Sequence, residues 1–537
     1  MQTSYLSALS AFSLGDLAAR LDGDLVHGIN ACVECCDRHA HGDQVALHWH
    51  DHQGRQATYT FAQLQSASAR FAHWLTAQGV QPGDRVAGLL PRVPELLITI
   101  LGTWRAGAVY QPLFTAFGPE AIEYRLASSE AKVVVTDAAN QSKLADLKIA
   151  PRTLIVGSVH GDAFQQALNA HADAFTPVMR SGEDAFIMLF TSGTTGKAKG
   201  VPVPIKALMA FEQYMRLAVD LRAEDKFWNI ADPGWAYGLY YSVTGPLLMG
   251  HATTFYDGPF APEAALAFIK DEGITNLAGA PTAFRLLMTA KTHSVEAIKG
   301  QLRAVSSAGE PLNPEVIKWF AERLGAPIFD HYGQTEIGMV VCNHHGLQQP
   351  VKPGTAGYAM PGYRMAVVEE SNDAVRVLGP DQPGILAVDR AASPLYFFPG
   401  YWQQATPAFR GGYYLTGDTV EMAEDGCVTF VGRSDDIITS SGYRIGPFEV
   451  ESCLIEHPAV MEAAVVGRPD AQRTEIVKAF VVLRAGFKPD ADTVDALQIH
   501  VKTRLAAHAY PREIAFVDAL PKTPSGKIQR FLLRQQT

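Results

Sequence analysis

The sixteen-residue stretch from 185 to 200, AFIMLFTSGTTGKAKG, constrains this chain more than any other. Residues 185–190 form an apolar run of strand length, the pattern of a buried strand. Directly after it come Thr191, Ser192, Gly193, Thr194, Thr195, Gly196, Lys197, Ala198, Lys199 and Gly200. Glycine permits close backbone approach, amides and hydroxyls donate hydrogen bonds, and the two lysines offset negative charge, so the loop predicts a polyphosphate cradle. The spacing is not that of a Walker A loop, which needs four residues between its glycines and a Ser or Thr after the lysine. A Ser/Thr/Gly run in isolation is more often a solvated linker. Tandem hydroxyls between glycines, straight after an apolar strand, favour phosphate.

The charge balance says how such an anion is held. Lys and Arg number 45 against 55 Asp and Glu, net -10, so a broad polyanion-tracking surface is not expected and nucleic acid is excluded as a partner. The phosphate belongs in a local pocket. At roughly 150 residues per domain, 537 residues predict two to four folding units. Six cysteines make no disulfide framework and point to a reducing compartment. Cys32, Cys35 and Cys36 with His39 and His41 raise a metal cluster, but no second CxxC completes a tetrahedral site, and residues 29–36 read as a helix packing small apolar side chains. Residues 1–15 lack a basic start followed by an apolar run, so no secretory leader is expected and the location reads as cytoplasmic. Residues 233–256 are uncharged and about long enough to span a bilayer, yet Pro233, Gly234, Gly238, Gly245 and Pro246 punctuate them. They predict a buried loop-and-helix segment near a site, with no membrane span.

Phe61, Leu64, Phe71 and Leu75 share one helical face, and Gly79 ends that run. Residues 86–90, 133–135 and 154–156 read as short buried strands between helical or turn signals. This alternation predicts an α/β fold of parallel or mixed sheets covered by helices. After Gly432-Arg433-Ser434-Asp435-Asp436 the pattern becomes a compact α+β module: helix 447–455, strands 462–466 and 479–483, helix 494–505 and strand 514–517. About a hundred residues suffice for a core of their own, which sets domains of 1–434 and 435–537 with the boundary at Asp435.

The 191–200 loop resembles the phosphate loop of the acyl-adenylate-forming superfamily, which contains acyl-CoA synthetases, firefly-type luciferases and peptide-synthetase adenylation domains. Six further matches follow in the family's order: Ser307-Ala308-Gly309-Glu310-Pro311, Asp330-His331-Tyr332-Gly333-Gln334-Thr335-Glu336, Tyr414-Leu415-Thr416-Gly417-Asp418, Gly432-Arg433-Ser434-Asp435-Asp436, Ser441-Gly442-Tyr443-Arg444 and Pro521-Lys522-Thr523-Pro524-Ser525-Gly526-Lys527. One departure is Ala198, where the family usually carries proline.

The resemblance implies a large adenylation domain of mixed sheets, a small mobile C-terminal domain hinged at Asp435, and a role for each match. Thr191, Ser192, Gly193, Thr194, Thr195, Gly196, Lys197 and Lys199 would hold the β- and γ-phosphates of ATP. Gly309, Glu310 and Pro311 would line the adenine pocket with Asp330, His331 and Tyr332, and Gly333 and Gln334 continue that wall. Thr335 would touch the α-phosphate, and Glu336 would hold Mg²⁺, a hard cation that prefers oxygen ligands. Asp418 would accept from the ribose hydroxyls, with Arg433 and Arg444 meeting ribose or phosphate. Lys527 would bridge the acid's carboxylate and the α-phosphate during adenylation, then withdraw as the small domain swings. Ser441, Gly442 and Tyr443 would then face coenzyme A. Closer similarity to medium-chain acyl-CoA synthetases adds Arg473, Lys502, Tyr510, Pro511 and Arg512 as CoA contacts, although surface lysines such as Lys502 are ordinarily just solvated.

For the acid, Gly333 stands where acetate enzymes carry a tryptophan, and Ala308 where they carry valine, so a pocket larger than acetate needs is expected. Trp235 and Tyr237 would cap its depth or serve the core. The expected activity is ATP-dependent synthesis of an acyl-CoA from a short- to medium-chain acid through acyl-AMP. An aromatic-acid CoA ligase, a stand-alone enzyme loading a carrier protein, and a non-catalytic AMP-binding sensor stay open, as does a homodimer.

Overall fold

The computed structural model describes residues 3–149, 151–157, 162–191, 198–371, 374–441, 443–470, 472–523 and 527–536. Two six-stranded sheets dominate the first part of the chain. One runs Arg152–Val156, Val133–Asp137, Arg85–Leu89, Val109–Pro112, Ala185–Thr191 and Lys199–Pro204, parallel until its last, antiparallel pair. The other runs Phe227–Asn229, Asn276–Gly279, Ala304–Ala308, Ile328–Gln334, Gly338–Cys342 and Tyr358–Ala359, with four parallel strands followed by antiparallel ones. A third, antiparallel sheet contains Tyr413–Met422 paired with Val428–Arg433 and carries the chain toward the C-terminal module.

Local chemistry explains the elements. The helix Phe61–Ala77 begins at a reciprocal cap in which Thr60 and Gln63 bond each other's backbone, and Gly79 follows its end at φ 82°. Phe61, Leu64, Phe71 and Leu75 are all fully buried, as their shared face predicts. Residues 233–256 resolve into Ala236–Gly238, Leu239–Thr244, Gly245–Leu248 and the start of Thr253–Asp257, and no helix among the described residues is long and apolar enough to cross a membrane. Cys32, Cys35 and Cys36 lie fully buried in the main core on and beside the helix Ala31–Cys35. No group of His, Cys, Asp or Glu among the described residues is arranged to hold a metal ion.

The C-terminal module packs around its own core of Ile438, Val450, Leu454, Val465, Val477, Leu497 and Val501. Its central strands, Val460–Asp470 and Thr474–Leu483, extend well past the apolar windows seen in the sequence. The antiparallel ladder continues through polar residues as far as Asp470↔Thr474, because backbone pairing does not need an apolar side chain. Across the junction, Asn313 Nδ2 donates to Ser452 Oγ at 2.9 Å and Phe448 meets Phe430. Asp436 N–H and Ile437 N–H both donate to Arg433 O, closing a tight turn around Asp435.

Candidate active site

The strands Ala185–Thr191 and Lys199–Pro204, on either side of the expected phosphate loop, pair antiparallel. Thr191 pairs directly with Lys199, and residues 192–197, with Ser192, Gly193, Thr194, Thr195, Gly196 and Lys197, lie outside the described residues. The return strand is pinned on two sides. Tyr124 Oη donates to Ala198 O, and Trp402 N–H donates to Gly200 O at 2.8 Å. A Cβ at Gly200 would lie 3.0 Å from Trp402 Cβ, a tight contact that glycine avoids.

Asp418 sits mid-strand and directly opposite Arg433 in the antiparallel ladder. It is 4% exposed. One carboxylate oxygen accepts from Tyr332 Oη at 2.6 Å and from Gln334 Nε2 at 2.8 Å, while Arg433 reaches the other at 3.3 Å. Gln334 is itself fixed, because Tyr414 Oη donates to its Oε1. Burial raises the Asp418 pKa, and the Arg433 guanidinium, these hydrogen bonds and the Lys527 charge oppose that rise. A carboxylate has about four acceptor sites, so with three taken Asp418 keeps about one for a further hydroxyl. Arg444 is exposed on the strand Tyr443–Ile445, whose Ile445 is buried.

Glu336 is buried and accepts from Tyr401 Oη at 2.9 Å. Burial raises its pKa, and Tyr401, Lys527 and Lys199 pull it back. The Lys199 ammonium stands 4.7 Å from the Tyr401 ring centroid, so this one tyrosine touches both the loop lysine and Glu336. Thr335 is held through its carbonyl by Tyr240 Oη. Lys527 is exposed, its N–H donates to Thr523 Oγ1, and its charge is felt by both Glu336 and Asp418.

Gly309, with φ 100°, turns the chain out of Ala304–Ala308. Glu310, next to Pro311, accepts from Thr282 and Arg285. Asp330 accepts from Leu312 N–H through Oδ2, but its buried Oδ1 has no partner, and burial pushes this carboxyl up to about 8. His331 is buried between Tyr214 and Asn343 O and held in the neutral form.

The described residues among those expected to meet CoA form local contacts on the C-terminal module. Ser441 N–H donates to Arg473 O, and Tyr443 stacks on His508 at 4.1 Å and 13°. The cations of Lys502 and Arg512 both lie over Tyr510, at 5.4 and 4.9 Å. Pro511 follows buried, and Gly442 lies outside the described residues.

The expected acyl residues are less uniform. Trp235 packs 5.3 Å from both Phe114 and Phe117, and its buried Nε1 has no partner. Tyr237 keeps part of its surface open, and Ala308 is buried in the main core. Gly333 calls for a correction. Its missing side chain does not simply leave space, since a Cβ would lie 2.1 Å from Gly338 O and 2.7 Å from Met339 Cα. The register shift between Tyr332 and Gly333 brings two backbones together there, and that contact is what requires glycine.

Tyr401, Tyr240, Arg285 and Tyr214 were not singled out by sequence reasoning. Their only signal is aromatic or polar type in otherwise ordinary segments.

The chain is similar to known proteins over most of its length. The family model "AMP-binding enzyme" matches residues 36–402, and "AMP-binding enzyme C-terminal domain" matches 449–527. The acetyl-coenzyme A synthetase of Bacillus subtilis is 38% identical over 533 residues, covering 94% of this chain and 90% of that protein. Among solved structures, the Brucella canis acyl-CoA synthetase is 57% identical with TM-score 0.81, covering 99% of both chains. The anthranilate CoA ligase AuaEII, solved in complex with anthranoyl-AMP, is 26% identical with TM-score 0.87, covering 96% of this chain and 98% of that one. With matches of this extent, a large N-terminal domain and a smaller C-terminal one, the chain belongs to the AMP-binding enzyme family.

Proposed function

We propose that this protein is an ATP-dependent acid–CoA ligase acting on a short- to medium-chain carboxylic acid. A carboxylate oxygen attacks the α-phosphorus of ATP, and pyrophosphate leaves with the bonding electrons. The CoA sulfur then attacks the acyl-AMP carbonyl, its proton is lost, and AMP departs. The observation that carries the reading is a pair of buried carboxylates held beside cations, Asp418 by Arg433 at 3.3 Å and Glu336 by the Tyr401 that also meets Lys199. Two anions must meet in the first step, and a cation at that point lowers their repulsion.

Thr191, Lys199 and residues 192–197 take the β- and γ-phosphates in this reading. Gly309–Pro311 and 330–334 take adenine, Thr335 the α-phosphate, and Asp418 with Arg433 the ribose. Glu336 offers carboxylate oxygens, the donor type that suits Mg²⁺, and that ion would supply charge neutralisation on the phosphates. Domains 1–434 and 435–537 pivot at Asp435. The two hydrogen bonds into Arg433 O are the ones a swing would break. Ser441, Gly442, Tyr443, Arg473, Lys502, Tyr510, Pro511 and Arg512 then take CoA.

An aromatic acid is the second reading, favoured by the Phe114–Phe117–Trp235 ring cluster. One screen tests both: pyrophosphate release with acids of two to ten carbons and benzoate, with and without CoA. The ligase reading expects acid-dependent release and CoA-dependent thioester. Release with no acid in the series contradicts it.

A further inference from the structure

Behind the expected acyl wall runs a buried hydrogen-bond chain whose direction can be fixed atom by atom. Tyr237 Oη lies 3.2 Å from Tyr214 Oη, Tyr214 Oη 2.8 Å from His331 Nδ1, and His331 Nε2 3.0 Å from Asn343 O. A carbonyl oxygen only accepts, so His331 Nε2 carries the hydrogen. Deep burial keeps the imidazole neutral, which leaves Nδ1 bare. Tyr214 must therefore donate to Nδ1, and its oxygen can only accept from Tyr237. The Tyr237 proton is committed inward. Tyr214 and His331 are buried, whereas Tyr237 keeps part of its surface open, one residue beyond Ala236 and two beyond Trp235. Any further partner of the Tyr237 oxygen therefore meets only lone pairs.

We propose that Tyr237 is an acceptor-only specificity residue, positioned by Tyr214 and His331, which favours acids carrying a hydroxyl or amino donor at its depth over isosteric acids carrying a carbonyl or carboxylate there. The inference rests on the ligase reading and names the substrate class within it. A site whose polar atom meets a matching group discriminates against the analogue that repels it, because the mismatched pair stays unsatisfied in a water-poor pocket.

The test uses the full chain and matched acids: hydroxy against oxo acids of equal length with the substituent moved from C3 to C6, and hydroxymethyl- against formyl-benzoates. The rate of pyrophosphate release gives kcat/KM for each. At one substituent position the hydroxy acid is expected to win by about tenfold or more. Tyr214→Phe frees the Tyr237 proton, so the oxo acid should gain and the ratio fall toward one. Tyr237→Phe should reach the same ratio by losing the hydroxy acid, which keeps the test decisive if the first variant does not fold. A wild-type ratio near one at every position, or a preference for oxo acids, overturns the inference while leaving the ligase reading intact. A ratio unmoved in both variants does the same. Absence of release with every acid overturns the ligase reading and this inference together.

Discussion

Asp418 and Tyr443 mark two surfaces built in opposite ways. Around Asp418, Tyr332, Gln334, Tyr414 and Arg433 hold one another at hydrogen-bond distance in a buried wall. Around Tyr443, an aromatic stack and two cations over Tyr510 lie on an open surface with few hydrogen bonds between them. The first arrangement is pre-organised: its polar groups were desolvated during folding, so none of that cost falls on the reaction. The second keeps its charges hydrated and adjustable, which suits a long flexible thiol carrier that must arrive and leave. A rigid wall and an adaptable face, joined at one short turn, are what a two-step reaction at a single site requires.

The comparison breaks most visibly at Lys527, the group that the proposed reaction has the small domain lend to the large one. Lys527→Ala should lower acid-dependent pyrophosphate exchange about a thousandfold, the scale of losing one electrostatic contact made in the transition state. Conversion of supplied acyl-AMP to thioester should stay within a few fold. Equal loss of both steps would mean that the lysine is not specific to the first.

Acid should weaken the large domain that carries the wall. His344 and His345 are buried in the large domain and held down to about 4. Their folded values lie below the free imidazole value, so the unfolded chain binds protons first. Stability from these two groups is level above about pH 6.5, falls as pH drops toward 4, and each contributes a loss of up to ~3 kcal/mol. Urea midpoints of the large domain measured from pH 7 to 4 should follow that slope, and a flat profile would remove the histidines from the account.

Gly333→Ala probes the wall's backbone contact. The added methyl cannot fit without moving Gly338, so a stability loss of ~1–3 kcal/mol is expected from overpacking. A variant as stable as the parent would restore the idea that Gly333 merely leaves room. On the open face, Lys502→Ala or Arg512→Ala should raise KM for CoA about tenfold, the value of one exposed charge contact at a phosphate. Exchange without CoA should stay unchanged, and a fall in exchange would place these cations elsewhere in the cycle.

Much of this was legible because chemistry and chain order coincide. The 191–200 loop, Asp418 in its Gly-Asp step and the helix Phe61–Ala77 each carry their signal within a few residues. What stayed hidden lies in long-range pairing. Tyr401 reaches Glu336 across 65 positions and Tyr214 reaches His331 across 117, so neither partner predicts the other from spacing. Gly333 was legible as a glycine but not as a backbone crossing, because the register shift that demands it depends on the neighbouring strand. Arg444, which the resemblance implies meets ribose or phosphate, is exposed on the strand Tyr443–Ile445. The three clustered cysteines have metal-like spacing, but their burial in the apolar core gives them a packing role.

The most direct measurement is to incubate the protein with ATP, Mg²⁺ and an accepted acid in the absence of CoA, quench, and weigh the bound small molecules by mass spectrometry. The account predicts about one acyl-AMP per chain, cleared to acyl-CoA and AMP when CoA is added. ADP with an acyl phosphate, or no acid-derived adenylate at all, would contradict it.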